Sequence, residues 1–275
     1  MLKPALTQKL KEMLAELGVN KGDTVFVHSG IGAIAGLLGA DKPVAIPDAL
    51  EAFHTALLGT VGEGGTIAAP GFFYDYARKG KPYVVETSPP DRALGFYPMH
   101  LFKEDAVKRS LNPIANILAI GRNADEICAH TSAHAYGLTS PWARLLDCDA
   151  KGLVIGLPFM MTFIHHIEAV VGAPHIYNKI FRTPVIANGK EIDLPVIASV
   201  RYLDYDIHYK SGPVDELRQA GVMAEMSEND VNCQLVSFRD AQRVIADGLA
   251  RDSNLTLLRP PKFLPGEVPD DGPRG

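Results

Sequence analysis

Cysteine is scarce in this chain. Three occur in 275 residues, Cys128, Cys148 and Cys233, and none forms a CxxC pair. A dense disulfide framework is excluded, and apolar neighbours make buried thiols the expected state of all three. Positive charge is not in excess: 27 Lys and Arg stand against 32 Asp and Glu, a formal charge of −5. Nothing in that balance attracts DNA or RNA. No uncharged apolar run approaches ~18 residues, so no membrane span is expected. The segment MLKPALTQKLKEML carries lysines and a glutamate inside its apolar stripe, unlike a signal peptide, and a cytoplasmic, reducing address is expected. Nucleotide and hydrolase signatures are missing as well. GIGAIAG, Gly30 to Gly36, does not spell GxGxxG, does not end in GK[ST], and has no convincing acid ~20 residues on. No G-x-S-x-G elbow is present, which disfavours serine hydrolysis of the α/β-hydrolase kind.

What is abundant is punctuation. Twenty-five glycines and twenty prolines suggest many turns, and 47% apolar residues suffice for one sizeable core. Leu6, Leu10, Met13, Leu14 and Leu17 recur at helical spacing, with Thr7 as an N-cap and Gly18 as the stop. Short apolar strands are expected at Thr24 to Val27, Thr66 to Ala69, Ile117 to Ile120 and Leu153 to Ile155, each continuous enough to be buried on both faces. Helices are expected from Pro47 to about Leu58, within 93–104, from Asn123 to Ala129, after Ser140-Pro141, and from an N-cap at Thr162 to about Val171. The glycine-rich stretch after the first strand reads as a backbone-lined loop. Residues 71–92 read as a long active-site loop, with a short hairpin as the alternative. Beyond about residue 180, Asn188-Gly189 marks a hairpin, followed by a strand over 231–237 and a helix from Phe238 to Leu249. The fold class is therefore α/β: a layered single domain over 1–259, its central sheet largely parallel or mixed and flanked by helices, with an antiparallel portion in the C-terminal part. Residues 260–275 form a Pro/Gly-rich tail.

His165-His166-Ile167-Glu168 is the sharpest cluster. On a helix, His165 and Glu168 share a face, and a carboxylate on one imidazole nitrogen raises the basicity of the other. That suits a general base; a surface i,i+3 pair is the plain alternative. His165, His166, Glu168 and His175 are also zinc-ligand types, but the spacing is not HExxH and the two adjacent histidines diverge by about 100°. No metal is expected. His28, His130 and His134 adjoin strand ends or turns.

The blocks VFVHSGIGAIAG, GEGGTIAAPGF, KRSLNPIANILAIG, GLTSPWARL and MTFIHHIE occur in this order between about residues 20 and 172. In that order they resemble the aminoglycoside 3-N-acetyltransferase family, whose α/β fold differs from that of the GCN5-related acetyltransferases. The resemblance implies an enzyme, an acyl-CoA-dependent N-acetyltransferase moving an acetyl group from acetyl-CoA to a primary amine of an aminoglycoside or amino sugar. It places the family's Thr-x-x-His-x-x-Glu block on Thr162, His165 and Glu168, with the histidine as base and Ser29 as a further catalytic residue. It assigns His28, Ser29, Gly30, Ile31, Arg109, Ser110 and Thr162 to the coenzyme site, and matches His130 to a family histidine. Acceptor contacts are expected from Tyr74, Asp75, Glu86, Asp91 and Asp204, with Tyr76 and Tyr83 as further stacking faces. The partners implied are the amine acceptor and coenzyme A; a homodimer is left open. Asn112, Asn116 and Gly71 stand where the family usually has histidine, serine and threonine, which counts against an antibiotic as acceptor more than against acyl transfer. The alternatives are a catalytically impaired coenzyme A-binding member and a metal-dependent hydrolase.

Overall fold

The computed structural model describes residues 2–39, 41–129, 132–201 and 211–258. Its centre is a seven-stranded mixed sheet in the order β11-β12-β6-β1-β2-β5-β4. β1 (Thr24–Ser29) lies between β2 (Thr66–Pro70) and β6 (Lys151–Ile155), and both pairings are parallel. Antiparallel strands extend both sides. β5 (Ile117–Gly121) and the short β4 (Lys108–Arg109) follow β2, while β12 (Val231–Ser237) and β11 (Met223–Glu228) follow β6.

Alternation along β1 sorts the interior into two halves. Val25 and Val27 join Ile67, Leu153 and Ile155 in one apolar cluster; Phe26 joins Ala68, Trp142 and Phe238 in another. The first cluster is closed by α1 (Leu2–Leu17), α2 (Ile31–Ala35), α3 (Ile46–Val61) and α5 (Phe96–Leu101). The second is closed by α6 (Ala124–Ala129), α7 (Pro141–Asp147), α8 (Ile164–Val171), α9 (Gly212–Gln219) and α10 (Phe238–Arg251). Because both faces are covered, the central strands read as unbroken apolar runs.

Two small sheets complete the fold. β7 (Ile176–Phe181) pairs antiparallel with β10 (Val196–Arg201). β8 (Val185–Ala187) and β9 (Lys190–Ile192) form the hairpin expected at Asn188-Gly189, both of which have positive φ, 51° and 70°. β3 (Tyr83–Val84) joins β8 in parallel, and α4 (Tyr74–Lys79) precedes it.

Several local expectations are corrected. Residues 71–92 are neither an open loop nor a hairpin: they hold α4 and β3, and Tyr76 and Tyr83 send their hydroxyls to Thr183 O and Ser110 O. The stretch GIGAIAG is not a backbone-lined loop; residues 31–35 are α2. A Cβ on Gly30 would sit 2.2 Å from Gly156 O, so its glycine serves a close crossing of two chains at the strand ends. Thr7 and Thr162 do not cap: α1 starts at Leu2, and the residue before α8 is Phe163. Cys128 and Cys233 are buried, which pushes each thiol up to about 12, whereas Cys148 is half-buried. The tail from 260 lies outside the described residues.

Candidate active site

α8 stands at the carboxyl ends of β1 and β6, where open α/β sheets place their ligands. Its apolar side, Ile164 and Ile167, is buried, and Phe163 stacks on Phe238 at 4.1 Å between ring centroids. Gly172 ends the helix in the left-handed region and donates its N–H to Glu168 O. This packing fixes the helix rotation, and with it the face that carries His165 and Glu168.

On that face the Glu168 carboxylate is only 3% exposed and holds two imidazoles. Burial alone would raise its pKa, but His165 and His175 more than offset this and bring it down to about 2. An ionised carboxylate only accepts hydrogen bonds. The protons therefore sit on the partners: His165 Nδ1–H donates to Oε2 at 3.0 Å and His175 Nε2–H to Oε1 at 3.1 Å. The basic nitrogen of His165 is then Nε2. Tyr136 lies against the same ring, 5.4 Å between centroids.

His166 points elsewhere. It is 1% exposed, donates Nδ1–H to Tyr136 O at 2.7 Å, and packs on Phe163. The two adjacent histidines therefore diverge and do not face one common site.

His165 borders two clefts. One, about 130 Å³, is lined by Phe159, Met160, Met161, Ile164 and Val214. The other, about 360 Å³ and within the range of small-molecule sites, is lined by Tyr74, Arg78, Tyr136, Glu168, His175 and Arg201 among others. Beneath the apolar cleft, Thr162 Oγ1 lies 3.1 Å from His28 Nε2. Burial lowers His28 to about 4, so its ring is neutral near pH 7.

Comparison with known proteins decides the family. The family model described as aminoglycoside 3-N-acetyltransferase matches residues 26–250. The chain belongs to this family. Among its relatives, aminoglycoside N(3)-acetyltransferase VIII of Streptomyces fradiae is 30% identical over 69% of each chain. Aminoglycoside N(3)-acetyltransferase IX of Micromonospora chalcea is 28% identical over 69% of this chain and 70% of its own. Among solved structures, aminoglycoside acetyltransferase AAC(3)-Xa superposes with a TM-score of 0.74 at 24% identity, covering 88% of this chain and 92% of that one. The binary complex of AAC-IIIb with CoASH gives 0.73 at 22%, over 93% and 98%. These structural likenesses show the shared fold.

Within this aminoglycoside 3-N-acetyltransferase fold, the other expected site residues scatter. Ser29 leaves β1 on the face opposite His28; its Oγ is buried without a hydrogen-bond partner. Gly30 N–H is committed to Ile155 O at 2.8 Å, and the Ile31 side chain belongs to the core on the far side of the sheet. Arg109 pins neighbouring chain segments together. Its guanidinium donates to Val85 O, Ser88 O, Gly71 O and Asn116 Oδ1 and lies over Tyr83 and Phe102. Ser110 is fully buried and accepts from Ile117 N. The expected acceptor acids are likewise occupied: Asp75 by Lys79 and Lys81, Glu86 by Asn188 N, and Asp91 by Ala93 N. Of the described residues of that set, Tyr74 alone borders the cleft beside His165. Asp204 and His130 lie outside the described residues.

Helical spacing does not link the second imidazole, His175, to Glu168. His175 follows the helix stop at Gly172 and begins the run into β7, so helical spacing from Glu168 could not connect them. A lone histidine just beyond a glycine stop was the available signal.

Proposed function

We propose that the protein transfers an acetyl group from acetyl-CoA to a primary amine of an aminoglycoside or amino sugar, with His165 as the general base and Glu168 as its positioning partner. The observation that carries this reading is the 3.0 Å bond from His165 Nδ1–H to a buried, ionised carboxylate on a ring that borders two clefts. Acetyl-CoA supplies a thioester, an acyl donor open to attack by an amine. The apolar cleft suits the acyl end and pantetheine arm, and the polar cleft the acceptor.

The amine attacks the thioester carbonyl carbon, the C–S bond breaks as the C–N bond forms, and coenzyme A leaves as thiolate; His165 Nε2 takes the proton that the amine sheds, directly or through one water, and returns it to that thiolate. Glu168 remains ionised and stabilises the imidazolium that results, while His175 holds the second carboxylate oxygen and so fixes the plane of the group. The neutral His28 and the Thr162 hydroxyl provide polar contacts beside the apolar cleft. Ser29 holds its hydroxyl near the strand end on the opposite face from His28.

The test is release of free thiol from acetyl-CoA with a panel of aminoglycosides and amino sugars. Acceptor-dependent release is expected, falling by ~10²–10⁴ in His165→Ala and in Glu168→Ala. Equal turnover by wild type and His165→Ala rejects the base assignment.

A further inference from the structure

Across the sheet from His165, His54 of α3, His100 of α5 and Glu104 bring their ligand atoms within 4.8 Å of one another. The geometry points to a binding site for one divalent transition-metal ion, with Zn²⁺ as the natural occupant, held by His54, His100 and Glu104. Among the described residues no other group of three histidine, cysteine or carboxylate side chains gathers this closely.

Three details favour ligation over ordinary side-chain pairing. His100 Nε2 faces Glu104 Oε1 at 3.6 Å, and no hydrogen bond joins them. That spacing is too long for a donor and acceptor. It is close to the ~3.3 Å edge between two ligands of a tetrahedral ion with bonds near ~2.0–2.1 Å. His100 Nε2 is otherwise buried without a partner, a cost that a metal bond would relieve. His54 already has the outer contact typical of a metal-bound imidazole, its Nδ1 being 3.1 Å from the hydroxyl of the buried Tyr97. With Nδ1–H donating to Tyr97, the lone pair is on Nε2.

The donor set selects the ion. Two imidazoles and one carboxylate suit Zn²⁺ and leave a fourth position for water. The rings of His54 and His100 stand at 72° with centroids 4.9 Å apart, so an ion between them would tie α3 to α5. This is a structural clamp, separate from the acetyl-transfer site and independent of its mechanism.

The experiment uses the full chain, stripped with chelator and dialysed against ZnCl₂. One Zn²⁺ per chain by mass spectrometry is expected, with a rise in melting temperature of roughly 5–10 °C at 100-fold excess over Kd. Co²⁺ should give the intense visible bands of a tetrahedral site. His100→Ala and Glu104→Gln, at partly exposed positions, should each weaken binding by about 100-fold or more. Tyr97→Phe, which never touches the ion, should weaken it about 10–100-fold. No bound Zn²⁺ in the wild type overturns the proposal. So does binding that survives both His100→Ala and Glu104→Gln, since the ion then sits elsewhere.

Discussion

At the scale of single residues, Glu168 is the most consequential group. Its carboxyl has an ordinary value of 4.5 and falls to about 2 in the folded chain, so its ionised form stabilises the fold fully above about pH 5. That contribution is lost as the pH drops from 4.5 toward 2. Acid titration followed by circular dichroism should show wild type losing stability in this window, and Glu168→Gln should flatten the loss. Arg109 makes a contrasting case. Its donors are spent on three backbone carbonyls and Asn116, and lysine cannot reproduce that fork. Arg109→Lys should cost about 2–4 kcal/mol of stability, read by urea denaturation, while KM for acetyl-CoA stays unchanged. A raised KM with unchanged stability would restore Arg109 to the coenzyme site.

At the scale of elements, the legible parts were those governed by local rules. β1, β2, β5 and β6 were readable because burial on both faces forces continuous apolar runs, and the Asn188-Gly189 turn because its positive φ values demand such residues. The His165–Glu168 pair was readable from helical spacing. What failed depended on distant partners. The run 71–92 has no period of its own because β3 is defined by pairing with β8, a hundred residues on. The lysine, turn and cap partners of the acids at 75, 86 and 91 could not be placed from sequence. Gly30 looked like a ligand cradle, and its reason is the carbonyl of Gly156 instead. Gly30→Ala should therefore lower the melting temperature by roughly 3–10 °C through overpacking at the β1–β6 crossing, checked by calorimetry.

At the scale of the whole molecule, stability is uneven. β1 and β2 are almost wholly buried, whereas β7 and β9 alternate between half-buried and exposed positions. Native-state hydrogen exchange should find the slowest amides in β1, β2 and β6, opening only with global unfolding, and faster sub-global opening in the β7–β10 and β8–β9 ladders. Slow exchange in β7 equal to that of β1 would contradict this division. The sheet order adds a consequence for synthesis. β1 is translated early, yet one of its two neighbours, β6, comes only at residues 151–155. At ribosomal rates that leaves an apolar ribbon edge waiting roughly 6–25 s on the nascent polypeptide, long enough to make it a target for chaperones.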